Sequence, residues 1–239
     1  MKRMLMLLLS AVVVGVPATA LAAKDKITVG VVEFKNESGA GWWRGGVGWE
    51  LSGMLSNELV ATKAFSVVER NKLQSAIEEQ NLGASGRVSA GTGAKIGKLI
   101  GAEYLVMGTV TAYEENTADT GGGISFRGIS VGGNSSEAYI AVDLRVVNST
   151  TGEIEYVRTV EARSKGGGLR LGAYRGGFGG NLASQNKTPA GKAIRGSLIE
   201  ISDYLECAMV KQTKRCMKKY DERDERRRES SRSAIDLDG

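Results

Sequence analysis

Ala138–Ala162 reads AYIAVDLRVVNSTTGEIEYVRTVEA and is the most informative stretch of the chain. Ile140, Val142, Leu144 and Val146 alternate with their neighbours across Ala138–Asn148, the period-two pattern of a strand with one buried face. Thr150-Thr151-Gly152 supplies a turn, and Glu153–Ala162 follows as a paired strand. Upstream, Tyr104–Tyr113 (YLVMGTVTAY) is apolar or β-forming almost throughout and reads as a buried strand. Lys26–Phe34 (KITVGVVEF) reads as a first strand and Phe65–Val68 (FSVV) as a short one. Helices fall between them. Leu51, Leu55 and Leu59, with Met54 beside them, stripe a helix over Trp49–Thr62, and Leu73, Ala76 and Ile77 share one side of another over Arg70–Leu82. Ile96, Leu99 and Ile100 suggest a short helix stopped at Gly101. Thr188-Pro189 is a helix start, with Thr as N-cap and Pro at the first helical position. Ile194, Leu198, Ile201 and Leu205 then mark a long amphipathic helix. This mixed order predicts an α/β (α+β) domain.

Composition narrows the function. Among 239 residues there are 32 Lys+Arg, 27 Asp+Glu, two Cys and no His. Without histidine there is no His-dependent triad, general base or metal ligand. Two cysteines cannot form a four-thiolate zinc site. The sequence therefore predicts no enzyme, no catalytic residues, no metal and no cofactor. Gly91-Thr92-Gly93 with Gly97 only weakly resembles a nucleotide-binding loop, because no strand precedes it and the spacing is wrong. Glu78-Glu79 and Glu114-Glu115 read as solvated surface rather than acid/base pairs.

Residues 1–22 read as a signal peptide: Lys2 and Arg3, an apolar run over Met4–Val16, then Ala20-Leu21-Ala22, with cleavage expected after Ala22. The apolar run is shorter than the roughly 20 residues of a membrane-spanning helix. No cysteine follows the cleavage site, so no lipid anchor is expected there. Export places Cys207 and Cys216 in an oxidising compartment, where a disulfide is possible. On one continuous helix, however, their Cα atoms would lie about 13 Å apart, too far to bridge. The helix breaks, or the thiols pair with other chains, or they stay reduced. Lys211–Gly239 is a charged tail or helix end whose acids interleave with its bases, which argues against nucleic acid.

The glycines concentrate in two insertions, Glu114–Glu137 and Ser164–Lys187, of 24 residues each. Read alone, they are either long hairpins or glycine-rich surface loops.

Three stretches together resemble the CsgG-type curli production assembly/transport family: Phe65–Leu82 (FSVVERNKLQSAIEEQNL), Ile96–Glu115 (IGKLIGAEYLVMGTVTAYEE) and Tyr139–Ile154 (YIAVDLRVVNSTTGEI). The likeness covers about Lys26–Val210, and it sets the domain limits at 23–210. It implies a periplasmic domain similar to anticodon-binding folds, assembled as a homo-oligomeric ring. Each copy would lend two β-hairpins to a shared transmembrane β-barrel. It also implies an outer-membrane channel for unfolded, amyloid-forming or adhesive proteins, with periplasmic or outer-membrane accessory factors. Members with a lipidated N-terminal cysteine differ from this chain. A soluble periplasmic ring or scaffold without a barrel is the alternative.

A barrel-spanning strand takes about 9–11 residues, so each insertion is long enough for a hairpin. In the second, a turn at Arg175-Gly176-Gly177 leaves Leu169, Leu171 and Ala173 on one face, expected to meet lipid. In the first, Ile124 and Phe126 share a face. By the same resemblance, the glycine-rich loop Asn36–Gly48 and the residue after it place Trp42, Trp43 and Trp49 near a pore constriction.

Overall fold

A computed structural model of the chain describes residues 26–119, 124–126, 129–131, 133–169 and 188–235, of which 116–119, 124–126, 129–131, 133–136 and 165–169 are described as backbone. The elements in order are β1 (Thr28–Val31), β2 (Lys35–Asn36), α1 (Val47–Thr62), β3 (Ser66–Val68), α2 (Leu73–Ala84), β4 (Tyr104–Asp119), β5 (Ile124–Phe126), β6 (Ile129–Val131), β7 (Gly133–Asn148), β8 (Ile154–Leu169), α3 (Pro189–Leu205) and α4 (Lys214–Ser233). The fold is mixed α/β, as its pattern predicts.

One sheet runs β3-β1-β4-β7-β8, with β2 also pairing β4. Its first half is parallel: Val29 pairs with both Val67 and Tyr104. Its second half is antiparallel, with Tyr104 opposite Asn148 and Val147 opposite Ile154. The alternating residues of β7 are all buried. Against them lies the stripe of α3, where Ile194, Leu198, Ile201 and Leu205 are buried too. Helix α1 adds Leu51, Leu55 and Leu59 to the same core. The Thr188 hydroxyl accepts a bond from the Gly191 N–H at 3.0 Å, the capping expected from sequence.

Helix α1 starts two residues earlier than the apolar stripe suggests. Val47 is fully buried, and left-handed Gly46 (φ 90°) precedes it. A Cβ on Gly48 would overlap the Phe34 carbonyl oxygen, so the first turn rests directly on the strand backbone. The Ser52 hydroxyl donates to the Val31 carbonyl at 3.1 Å and ties the helix to β1.

One local expectation fails. Ile96–Ile100 forms no helix, and Gly97 inside it is left-handed (φ 77°), which a right-handed helix cannot propagate. Helix α2 forms but buries none of its residues.

The charged tail folds back as a helix. After α3 a π-helical segment, Glu206–Lys211, ends at left-handed Gln212 (φ 48°), whose N–H donates to the Cys207 carbonyl at 2.8 Å. Thr213 then caps α4 by accepting from the Cys216 N–H. The reversal brings the two cysteine Cα atoms to 5.9 Å, and the thiols are joined as a disulfide. Of the alternatives open from spacing, the break in the helix is the one realised.

Helix α4 docks through Tyr220, which is buried. Burial, together with the nearby Glu200 and Asp203 carboxylates, pushes its phenol up to about 12. A tyrosine near 10 when unfolded and higher when folded contributes stability in full below pH 10, and loses it as pH climbs through the folded value. We expect stability to fall between about pH 10 and 12, measured by urea denaturation across that range. Tyr220→Phe should flatten the fall; an unchanged slope would assign it to other groups.

Candidate functional site

The strands that carry the described barrel candidates and the loop of Trp42 and Trp43 meet at one end of the sheet. Strands β4 and β7 continue past the helix-covered core, down to Asp119 opposite Asn134. Strand β8 runs beside β7 to Leu169 opposite Gly133. The first insertion is thus an antiparallel ladder, extended by the β5–β6 pair in which Phe126 faces Ile129. The start of the second insertion lies alongside it. The hairpin read from Ala138–Ala162 joins the two, since its strands β7 and β8 set Glu137 opposite Lys165, where the first insertion ends and the second begins.

Ile124 and Phe126 lie on β5, and Leu169 ends β8. Leu171, Ala173 and the expected turn at Arg175–Gly177 fall outside the described residues, as do Ala20 and Ala22 of the cleavage site.

A bulge in β4 between Val110 and Ala112 sets which side chains face inward along this extension. An extra residue in one strand shifts its alternation by one. Val106 and Val110 point into the core before it, and Tyr113 does so after it, opposite buried Ile140. Tyr113 therefore stands where the ladder leaves the body. Its hydroxyl donates to Glu115 Oε2 at 3.0 Å. Burial, then the Glu115 bond, raises its phenol above the ordinary tyrosine value.

The glycine-rich loop closes over Tyr113. Asn36 Oδ1 accepts from the Ser38 N–H at 3.0 Å, and the Glu37 N–H donates to the Val110 carbonyl at 2.8 Å, pinning the loop to β4. Left-handed Gly39 (φ 67°) and a turn from the Trp43 N–H to the Ala40 carbonyl direct Trp42 inward. Trp42 is only 5% exposed, its ring 5.3 Å edge-on from Tyr113 and 5.5 Å from Trp43. Its indole Nε1 is buried with no hydrogen-bond partner. In the single chain Trp42 is thus a packing residue, while Trp43 and Trp49 are half-buried.

Trp49 faces a second feature, a cleft of about 520 Å³ on the sheet surface not covered by α1 and α3. Met107, Thr109, Asp143 and Arg145 line it with Trp49. Asp143 is held there by a 2.7 Å bond from the Thr159 hydroxyl. Among the described residues no group of three or more Asp, Glu, Cys or His side chains is placed to hold a metal. No helix among them is long and apolar enough to cross a membrane. The arrangement offers aromatic surface and strand edges, which suit contact with polypeptide.

Comparison with known proteins follows the same lines. The family model for the curli production assembly/transport component CsgG matches residues 13–235. The CsgG proteins of Salmonella typhimurium and Escherichia coli K12 are each 30% identical over 143 residues, covering 56% of this chain and 52% of theirs. The chain thus spans about half the length of the curated relatives it matches. Among solved structures, the hypothetical protein CT253 from Chlamydia trachomatis superposes with a TM-score of 0.42 at 15% identity, over 77% of this chain and 97% of that one.

Proposed function

The chain belongs to the CsgG family of curli production assembly/transport components, and from that premise we propose that it is a subunit of an outer-membrane secretion channel. Its cargo is an unfolded, curli-like amyloid or adhesin subunit. The chain is exported by its signal peptide, and its anticodon-binding-like body sits in the periplasm as a homo-oligomeric ring. The two insertions of each copy build a shared barrel, which leaves no open strand edge in lipid. Transport by diffusion of an extended chain requires no catalysis and no cofactor. Accessory factors of the periplasm or outer membrane complete the machine.

One observation supports this reading: β4, β7 and β8 leave the body as a continuous antiparallel sheet, with the first insertion paired along the start of the second. One copy can then contribute contiguous strands to a larger closed sheet. The constriction is assigned first to Trp43 and Trp49, which keep exposed surface, with Trp42 bracing the loop from beneath.

A second reading, a soluble periplasmic ring or scaffold, draws on the composition of the same extension. Its rungs Asn116–Glu137–Lys165, Thr117–Ser136–Gly166 and Asp119–Asn134–Gly168 hold no large apolar residue. In the channel these rungs form a collar below the membrane, with Ile124, Phe126 and Leu169–Ala173 beyond it.

Membrane extraction and planar-bilayer recording test the choice. The channel requires detergent for release, shows a ring with a continuous barrel by electron microscopy, and conducts. Deleting residues 164–187 should abolish membrane association while keeping the body folded, and Trp43→Ala with Trp49→Ala should widen conductance. Recovery of all the protein in the soluble periplasmic fraction would overturn the channel and leave the scaffold.

A further inference from the structure

A cavity of about 440 Å³ lies where strand β8, the last of its sheet, meets helices α3 and α4. Successive residues 158–163 of β8 form one wall, and Gly196 and Glu200 of α3 a second. The third wall is α4. Four arginines line the space: Arg158 and Arg163 from the strand, and Arg223 and Arg227, one helical turn apart, from α4.

Three carboxylates share the cavity, and each is already engaged. Asp224 accepts from Arg158 at 3.0 Å, and its other oxygen lies 4.0 Å from Arg227 Nε. Glu200 pairs with Arg223. Glu161 accepts from the Tyr139 hydroxyl. Arg163 rests on the Tyr139 ring, 5.0 Å from its centre, and has no carboxylate partner among the described residues.

Donors therefore exceed acceptors. A guanidinium carries five N–H donors and no acceptor, and both Arg158 and Arg227 bury Nε without a hydrogen-bond partner. Four cations against three anions leave the lining at +1. Burying a cation as deeply as Arg158, whose side chain is 5% exposed, is costly wherever its charge is not fully offset. A tetrahedral oxyanion supplies the missing charge and acceptors in several directions. Arginine suits it, because two parallel N–H groups match two phosphate oxygens.

We propose that this cavity binds a phosphate group, held by Arg163 on β8 and Arg227 on α4, with Arg158 contributing charge from within the wall. The bound group ties α4 to the root of the second insertion, since Ser164 follows Arg163 directly. The site does not depend on the channel reading.

Thermal denaturation and titration calorimetry of the full chain with inorganic phosphate test it, against sodium chloride at equal ionic strength. Phosphate should raise the midpoint and saturate as a single site does. Arg163→Gln and Arg227→Gln should each weaken binding by about tenfold, as expected for a lost charge-assisted bond. Arg163→Lys, which keeps the charge and loses the fork, should fall between them and the parent. Arg228→Gln, on α4 outside the cavity, should bind as the parent does; an equal loss there overturns the site, because it reports charge screening. A rise that never saturates, or that the Arg163→Gln/Arg227→Gln chain retains, is the general effect of an excluded anion and also overturns it. A short-chain phosphatidylglycerol below its micelle concentration identifies the source of the group. Tighter binding than inorganic phosphate supports the site as one for a lipid headgroup, and weaker binding supports it as one for a soluble phosphate. Binding of neither overturns it.

Discussion

Gly108→Ala costs the domain about 3 kcal/mol, the upper part of the usual range for overpacking a tight core. Gly108 lies on the buried side of β4, opposite Leu144. A Cβ built there would overlap the Phe34 ring at three carbon atoms. Phe34 has nowhere to retreat, being 2% exposed and held by a 3.2 Å bond from its own N–H to the Gly48 carbonyl. Thermal denaturation should show the midpoint falling by about 6–12 °C for a domain of this size. Phe34→Ala alone should cost about 3–5 kcal/mol through the cavity it leaves. The double variant should cost clearly less than the sum, because alanine at 108 fills part of that space. Strict additivity would show that the contact is relieved elsewhere. Function is engaged as well, since Phe34 leads into the loop carrying Trp42, and loosening it should also raise hydrogen exchange across residues 37–46.

Asp224→Ala should release helix α4 at a cost of about 2–3 kcal/mol. Breaking a fully buried ion pair costs about 3–5 kcal/mol, and partial exposure of Asp224 lowers the figure here. The partner, Arg158, has a side chain only 5% exposed. Its guanidinium donates to Asp224 at 3.0 Å and to the Tyr220 carbonyl at 3.3 Å. It lies between the Tyr204 and Tyr220 rings, 5.1 and 4.8 Å from their centres. Removing the carboxylate leaves this cation buried with only a carbonyl and two ring faces. Arg158→Met, which removes the charge and keeps much of the volume, should cost less. Hydrogen exchange of residues 214–233 separates undocking of α4 from global unfolding. Equal costs for the two variants would mean that the charge is not what holds the helix. Arg223–Glu200 is a second, more exposed tie between α4 and α3, and it should matter less.

The elements whose side chains obey a short period were legible from the chain alone. Alternation in Ala138–Asn148 and the spacing of Ile194, Leu198, Ile201 and Leu205 each report a buried face, because a strand or helix repeats its orientation within a few residues. The Thr188 cap was legible for the same local reason. Charge and the absence of histidine limited the chemistry before any fold was known. The candidate site was legible as two insertions hinged on one hairpin and, apart from them, a loop of tryptophans.

What joined those pieces lies in contacts between distant residues, to which local pattern is blind. The inward turn of Tyr113 follows from one bulged residue in β4, whereas the first insertion meets the start of the second through the Ala138–Ala162 hairpin that the sequence already shows. Burial of Trp42 follows from where that bulge puts Tyr113. The charged tail reads as solvated because its anchor, Arg158, lies 66 residues from Asp224. Its disulfide is out of reach on an unbroken helix and closes because Gln212 reverses the chain. Ile96, Leu99 and Ile100 show the converse. Their apolar character was plain in the sequence, but that they stay uncovered in a single chain is a property of the packed whole, since burial depends on which surfaces the fold brings over them.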